Sequence, residues 1–156
     1  MDIVIGIGGL AVADRPDATL KTFALASCVA VTAYSQALRV GGMIHIGLPG
    51  PPDAGESAAR PGYYATTGVP LLLHTLGTKY GCQARELSLG VFGGADSTRA
   101  DDIFRIGARN LAAVFAELAA LELQAVLTDT GGNLSRTLVL EVGTGRVEVF
   151  TQPITF

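Results

Sequence analysis

Few side chains in this 156-residue chain can act as nucleophiles or move protons near neutral pH: two cysteines, Cys28 and Cys82, and two histidines, His45 and His74. Cys28 stands in LASCVAV and His45 in GGMIHIGLP. A cysteine in an apolar strand is more often a small buried hydrophobe than a nucleophile. Two neighbours argue the other way. Ala26 and Ser27 are small, as needed where a carbonyl carbon must approach the backbone. His45 lies in the adjoining apolar segment, where a buried imidazole needs a partner. Side chains opposed across a hairpin come within about 5.5 Å. A thiol beside an imidazole is the minimal activated nucleophile, because the base raises the thiolate fraction. On that reading Cys28 alkylates well below the pH expected of a free thiol of pKa about 8.5, and His45→Ala removes the advantage. His74 falls inside an apolar helical run, and Cys82 follows a helix stop at Gly81; both read as structural.

The elements that must hold this pair can be traced in order. Asp2 to Val12 is rich in Ile and Val and predicts an edge strand bent at Gly8-Gly9. Cys28 to Tyr34 predicts a buried strand and Val40 to Leu48 a second, joined by the short link Ser35 to Arg39 into a hairpin. Pro49 to Gly62, with four prolines and three glycines, predicts a mobile surface loop. VPLLLHTLGTKYG predicts a short helix with Pro70 in its first turn and Gly81 as a left-handed stop. ARELSLGVF predicts a strand. Asp101 and Asp102 mark the start of the longest helix, its apolar face drawn from Ile103, Ile106, Leu111, Val114, Phe115, Leu118 and Leu121. LQAVLTD, RTLVLEV and RVEVFT predict strands, the last two linked at Gly143-Thr144-Gly145. Gly93-Gly94 and Gly131-Gly132 read as tight turns. The sum is one domain over residues 1–156, an α/β (α+β) sandwich with mixed, largely antiparallel sheets and two main helices.

Composition excludes several functions. Eleven basic against fourteen acidic residues give a net charge of -3, and the basic residues are scattered, so no nucleic-acid stripe is written here. No window holds the roughly 18 apolar residues of a spanning helix. Two cysteines make neither a disulfide framework nor a cysteine-rich zinc site, which points to a reducing, cytoplasmic setting. No Walker loop, dinucleotide fingerprint or metalloprotease helix is present, so neither a cofactor nor a metal is expected.

Taken together, these segments resemble the CheD family of chemoreceptor glutamine deamidases. TFALASCVAV (22–31) is similar to that family's nucleophile segment and GGMIHIGLP (41–49) to its histidine segment. VFGGA (91–95), IGARN (106–110), DTGGNLSR (129–136) and TGRV (144–147) follow in the family's order. The chain departs from it at Ala26, where the family commonly has glycine, at the Gly62–Ala65 opening, and at Pro70.

The resemblance implies a cysteine-hydrolase-like fold in which Cys28 is the nucleophile, His45 the general base and Thr22 the group that orients the imidazole. It implies an amidohydrolase, a protein-glutamine glutaminase of bacterial chemotaxis. The substrates would be glutamines on the cytoplasmic helices of chemoreceptors, with glutamate methyl esters at the same positions as a second class. It also implies a CheC-type phosphatase as a partner. Two other readings stay open: a non-catalytic regulator of such a phosphatase, and a generic cysteine hydrolase of small amides.

Overall fold

The structure, a computed structural model, describes residues 1–97 and 104–154. Two sheets and a helical layer make up the fold. The four-stranded sheet contains β1 (Asp2–Val4), β3 (Thr19–Leu25), β8 (Leu134–Glu141) and β9 (Val147–Pro153), in the order β1-β3-β8-β9. The five-stranded sheet contains β2 (Leu10–Ala13), β5 (Val40–Ile46), β4 (Val29–Ser35), β6 (Ser88–Gly93) and β7 (Ala125–Thr130), in the order β2-β5-β4-β6-β7. The β1–β3 and β6–β7 pairs are parallel and all others antiparallel. An α+β sandwich with mixed, largely antiparallel sheets is therefore what this sequence folds into.

Every residue of β4 and β5 is buried, because the five-stranded sheet is covered on both faces. One face carries Val29, Val31, Ile44, Ile46 and Val91 against the two long helices, α2 (Ala65–Tyr80) and α3 (Ile106–Ala120). The other face carries Ala30, Tyr34, Met43 and Phe92 against Leu20, Leu25, Leu138 and Leu140 of the four-stranded sheet. Strands buried on both sides read as continuous apolar runs, which is why CVAVTAY and GGMIHIGL lack a clean alternation.

Several elements differ from the sequence expectation. The opening segment is two edge strands in different sheets, since the left-handed Gly8 (φ 79°) turns the chain from one sheet to the other. The proline-rich segment contains a short helix, α1 (Ala54–Ala59). Asp53 caps it by accepting from the Glu56 N–H at 2.8 Å, and Glu56 pairs with Arg60 and accepts from the Tyr64 hydroxyl at 2.8 Å. Pro70 lies well inside α2, not in its first turn. The missing Pro N–H costs one helical bond, and the buried stripe of Ala65, Gly68, Val69, Leu72 and Leu76 holds the helix across it. Gly81 ends α2 in the left-handed region (φ 74°), as expected. Residues Ala84–Glu86 form a 3-10 turn, and the strand begins at Ser88.

α3 buries Val114 and Leu118 and packs Leu111 on the core as predicted. Its buried stripe also takes in Gly107 and Asn110, while Phe115 and Leu121 stand partly exposed. Asp101, Asp102 and Ile103 lie outside the described residues. The carboxylate that caps α3 belongs to Asp96, which accepts from the N–H of Gly107 at 3.0 Å and of Ala108 at 3.4 Å. Among the described residues no helix is long and apolar enough to cross a membrane.

Candidate active site

The C-terminal ends of β3, β5, β6 and β7 and the N-terminal ends of β4, β8 and α3 meet at one end of the sandwich. His45, on β5, faces the four-stranded sheet and is 7% exposed. Its backbone is gripped by the first interstrand turn: its N–H donates to the Gly9 carbonyl at 3.1 Å, and its carbonyl accepts from the Gly8 N–H at 2.8 Å. Across the gap between the sheets, Thr22 of β3 is fully buried, with Oγ1 2.8 Å from His45 Nδ1.

That contact fixes the imidazole tautomer. The single hydroxyl hydrogen of Thr22 is donated to the Ile5 carbonyl at 2.7 Å. Its oxygen can then only accept, so the ring hydrogen sits on Nδ1 and the lone pair on Nε2. His45 Nε2 is buried without a hydrogen-bond partner among the described residues. A buried unpaired nitrogen costs about 1–3 kcal/mol, and an unprotonated ring nitrogen is also what proton abstraction needs. Burial pulls the imidazole pKa below its usual 6.5, and the Ile5 carbonyl opposes the shift only in part.

Cys28 occupies the turn between β3 and β4, half-buried against the core between the sheets. Hairpin pairing sets Ala30 opposite His45, so the thiol and the imidazole are not directly opposed as the sequence suggested. Cys28 lies two residues further along the same face, a diagonal step of roughly 7–8 Å between backbone positions. The closing pair Ser35–Val40 dictates this register. Burial raises the Cys28 thiol above its usual 9.0. The resting pair is therefore a neutral thiol and a neutral imidazole, unlike the low-pKa thiolate expected from sequence. A neutral imidazole of this kind can act as a general base towards a thiol.

Three of the recurring sequence blocks interlock around this turn. The Ala26 and Cys28 carbonyls accept from the N–H groups of Ala95 (2.7 Å) and Gly94 (2.9 Å), and the Gly93 carbonyl accepts from Gly131 at 2.9 Å. Gly93 (φ 102°) and Gly94 (φ 70°) make the close approach possible. A Cβ on Gly93 would stand 2.4 Å from the Cys28 carbonyl oxygen. Gly93→Ala is accordingly expected to destabilise the fold by about 1–3 kcal/mol and to displace the Cys28 turn. Urea unfolding and the Cys28 alkylation rate measure the two effects. The ends of DTGGNLSR are tied by Arg136 Nε donating to Asp129 Oδ1 at 3.0 Å. Ala26 lies outside the left-handed residues of the chain, so alanine in place of glycine brings no backbone strain there.

A pocket of about 240 Å³ opens beside the turn, walled by Ala26, Ser27, Ala95, Asp96, Ile106 and Ile154, and takes no wall from the proline-rich segment. His74 and Cys82 lie away from this end. His74 is exposed, and both line a separate groove between α2 and Leu121–Leu123. Sequence reasoning missed Asn110. It is fully buried on α3 and donates from Nδ2 to the carbonyls of Ser27 (2.9 Å) and Gly47 (3.1 Å). The signal is a polar residue one turn before Val114 on the core-facing side, which apolar periodicity alone does not count as buried.

An α+β sandwich with a cysteine turn and a buried histidine at one end of its sheets defines the class of protein. Within it, a family profile described as CheD chemotactic sensory transduction matches residues 48–151. The chain is 42% identical over 151 residues to the "Probable chemoreceptor glutamine deamidase CheD" of Syntrophotalea carbinolica, covering 95% of this chain and 93% of the relative. It is 40% identical over 148 residues to the "Probable chemoreceptor glutamine deamidase CheD 2" of Anaeromyxobacter dehalogenans, covering 94% and 92%. With the "Chemoreceptor glutamine deamidase CheD" of Thermotoga maritima it shares 37% identity over 149 residues, covering 96% and 91%. The chain belongs to the CheD family.

Proposed function

We propose that this chain is a cysteine-dependent amidohydrolase that converts specific glutamine side chains of chemoreceptors to glutamate, with Cys28 as nucleophile, His45 as general base and Thr22 as the residue that orients the ring. One observation carries the reading. A ring hydrogen committed to Thr22 leaves His45 Nε2 bare, on the same sheet face as the half-buried Cys28 and one diagonal step from it. The names of its relatives supply the substrate class.

His45 Nε2 accepts the thiol proton as Cys28 Sγ bonds to the carboxamide carbon and the carbonyl π electrons move onto oxygen. When the oxyanion collapses, the C–N bond breaks and ammonia departs with the imidazolium proton. Water then adds to the thioester carbon and gives a proton to Nε2. The C–S bond breaks, the sulfur recovers that proton, and a glutamate remains. Amide and water have become carboxylate and ammonium. A glutamate methyl ester at the same site follows the same steps with methanol as leaving group, and the cytoplasm is where such receptor segments lie.

The test is incubation with purified cytoplasmic receptor fragments, read by mass spectrometry for the increment of deamidation at defined glutamines. Free glutamine and a small activated ester serve as comparison substrates. Turnover of the small substrates with none on receptor fragments would replace this reading with a generic amide hydrolase.

A further inference from the structure

We propose that Asn110 is a positioning residue that aims the backbone N–H of Cys28 at the oxyanion formed during acyl transfer. The inference rests on the reading of Cys28 as nucleophile and adds the group that sets its peptide plane.

Asn110 sits in the core-facing stripe of α3 with Gly107, Val114 and Leu118, and it is 0% exposed. An apolar side chain would fill that position with no unpaired atom of its own, but would strip the donor from two carbonyls. Asn110 itself leaves an atom unpaired: its Oδ1 is buried without a partner among the described residues. Its amide nitrogen, by contrast, is fully engaged, donating to the Ser27 carbonyl at 2.9 Å and the Gly47 carbonyl at 3.1 Å. One side chain thus staples the residue before the nucleophile to the strand end that follows the base.

The chain contains no cis peptide among its described residues. In a trans peptide the carbonyl and the next N–H point in opposite directions. Holding the Ser27 carbonyl towards α3 therefore turns the Cys28 N–H away from the helix. The carbonyls on either side are also fixed, Ala26 by Ala95 and Cys28 by Gly94. Three consecutive carbonyls are tethered, and only the middle tether comes from a side chain. It is the one that substitution can remove while the other two stay in place.

Two reactions of the same sulfur separate this role from plain structural support. Alkylation of Cys28 by iodoacetamide is displacement at a saturated carbon and forms no oxyanion. Deamidation of a receptor fragment does. Asn110→Ala should lower kcat for deamidation about 100-fold, the usual loss for one oxyanion donor, with KM and the Cys28 alkylation rate close to wild type. Asn110→Asp keeps the side-chain shape and removes the donors, and whichever variant retains the wild-type circular dichroism and thermal transition is assayed. Parallel losses in alkylation and deamidation would assign Asn110 to general support of the turn and overturn the proposal. Undiminished deamidation, or the failure of both variants to fold, would overturn it as well. If instead wild type fails to deamidate, or Cys28→Ala still does, the underlying assignment of the nucleophile is what falls.

Discussion

Cys28→Ala is expected to abolish deamidation of receptor glutamines, a loss on the order of 10⁶-fold by comparison with removal of other catalytic nucleophiles, with unfolding close to wild type. Without Sγ there is no thioester, and water must attack the amide directly. Cys82 offers no substitute. It packs with the helix-side core of the five-stranded sheet, whereas Cys28 packs with the core between the sheets. Cys82→Ala should therefore leave the rate unchanged. Cys28→Ser should be as inactive as alanine, since a hydroxyl ionises far less readily than a thiol. Mass spectrometry of receptor fragments measures all three. Deamidation that survives in Cys28→Ala would remove this mechanism, whereas signalling that survives the loss of deamidation in Cys28→Ala would favour a regulatory role beside a CheC-type phosphatase.

The second large effect is at His45. His45→Ala should cut the rate at neutral pH by about 10⁴-fold, the upper range for a general base, and change the shape of the pH profile. In wild type the reactive form is the neutral pair. Burial keeps the imidazole unprotonated below its usual 6.5 and the thiol protonated above its usual 9.0. The kcat/KM profile should then be flat across that interval. Without the imidazole, the residual rate follows the thiolate fraction and should climb about tenfold per pH unit through the same interval. A flat profile in the variant would show that His45 does not take the thiol proton.

The same two groups set the sign of their contribution to stability. The folded imidazole pKa is depressed, so His45 costs nothing above about 6.5 and destabilises as pH falls below it, where the unfolded chain binds the proton first. The folded thiol pKa is raised, so Cys28 costs nothing until pH passes about 9.0, where the unfolded chain ionises first.

Much of this was legible in the residues, for identifiable reasons. The hairpin of β4 and β5 announced itself through two apolar runs and a short polar link; it carries His45, and Cys28 immediately precedes β4. The Gly93 and Gly131 turns were visible as glycine pairs because left-handed backbone leaves that signature. Contacts between sheets were not legible. Thr22 reaches His45 only because separate sheets stack, and no local pattern encodes which strands will face each other. The diagonal offset of Cys28 and His45 depends on which pair closes the hairpin. The apolar face of α3 is legible at Val114 and Leu118, but the stripe also passes through a glycine and an asparagine, residues that hydrophobic periodicity does not count as buried. Helix α1 is masked by the prolines on either side of it, although Asp53 and Glu56 carry its capping signal.

The β3–β8 ladder has one irregularity, and it bears on the spacing of Thr22 and Cys28. Thr22 pairs with Leu138, and Leu25 pairs with Arg136, so β3 spends one residue more than its partner over the same span, with Ala24 in the left-handed region (φ 53°). Both Thr22 and Leu25 consequently point inward although an odd number separates them. In a plain strand they would face opposite sides. A second three-residue step, through the turn, brings Cys28 back to the interior. Parity is thereby locked. Losing or gaining a single residue between hydroxyl and sulfur would send one of them to the outer surface, whereas length changes in the α1 segment leave that alternation untouched.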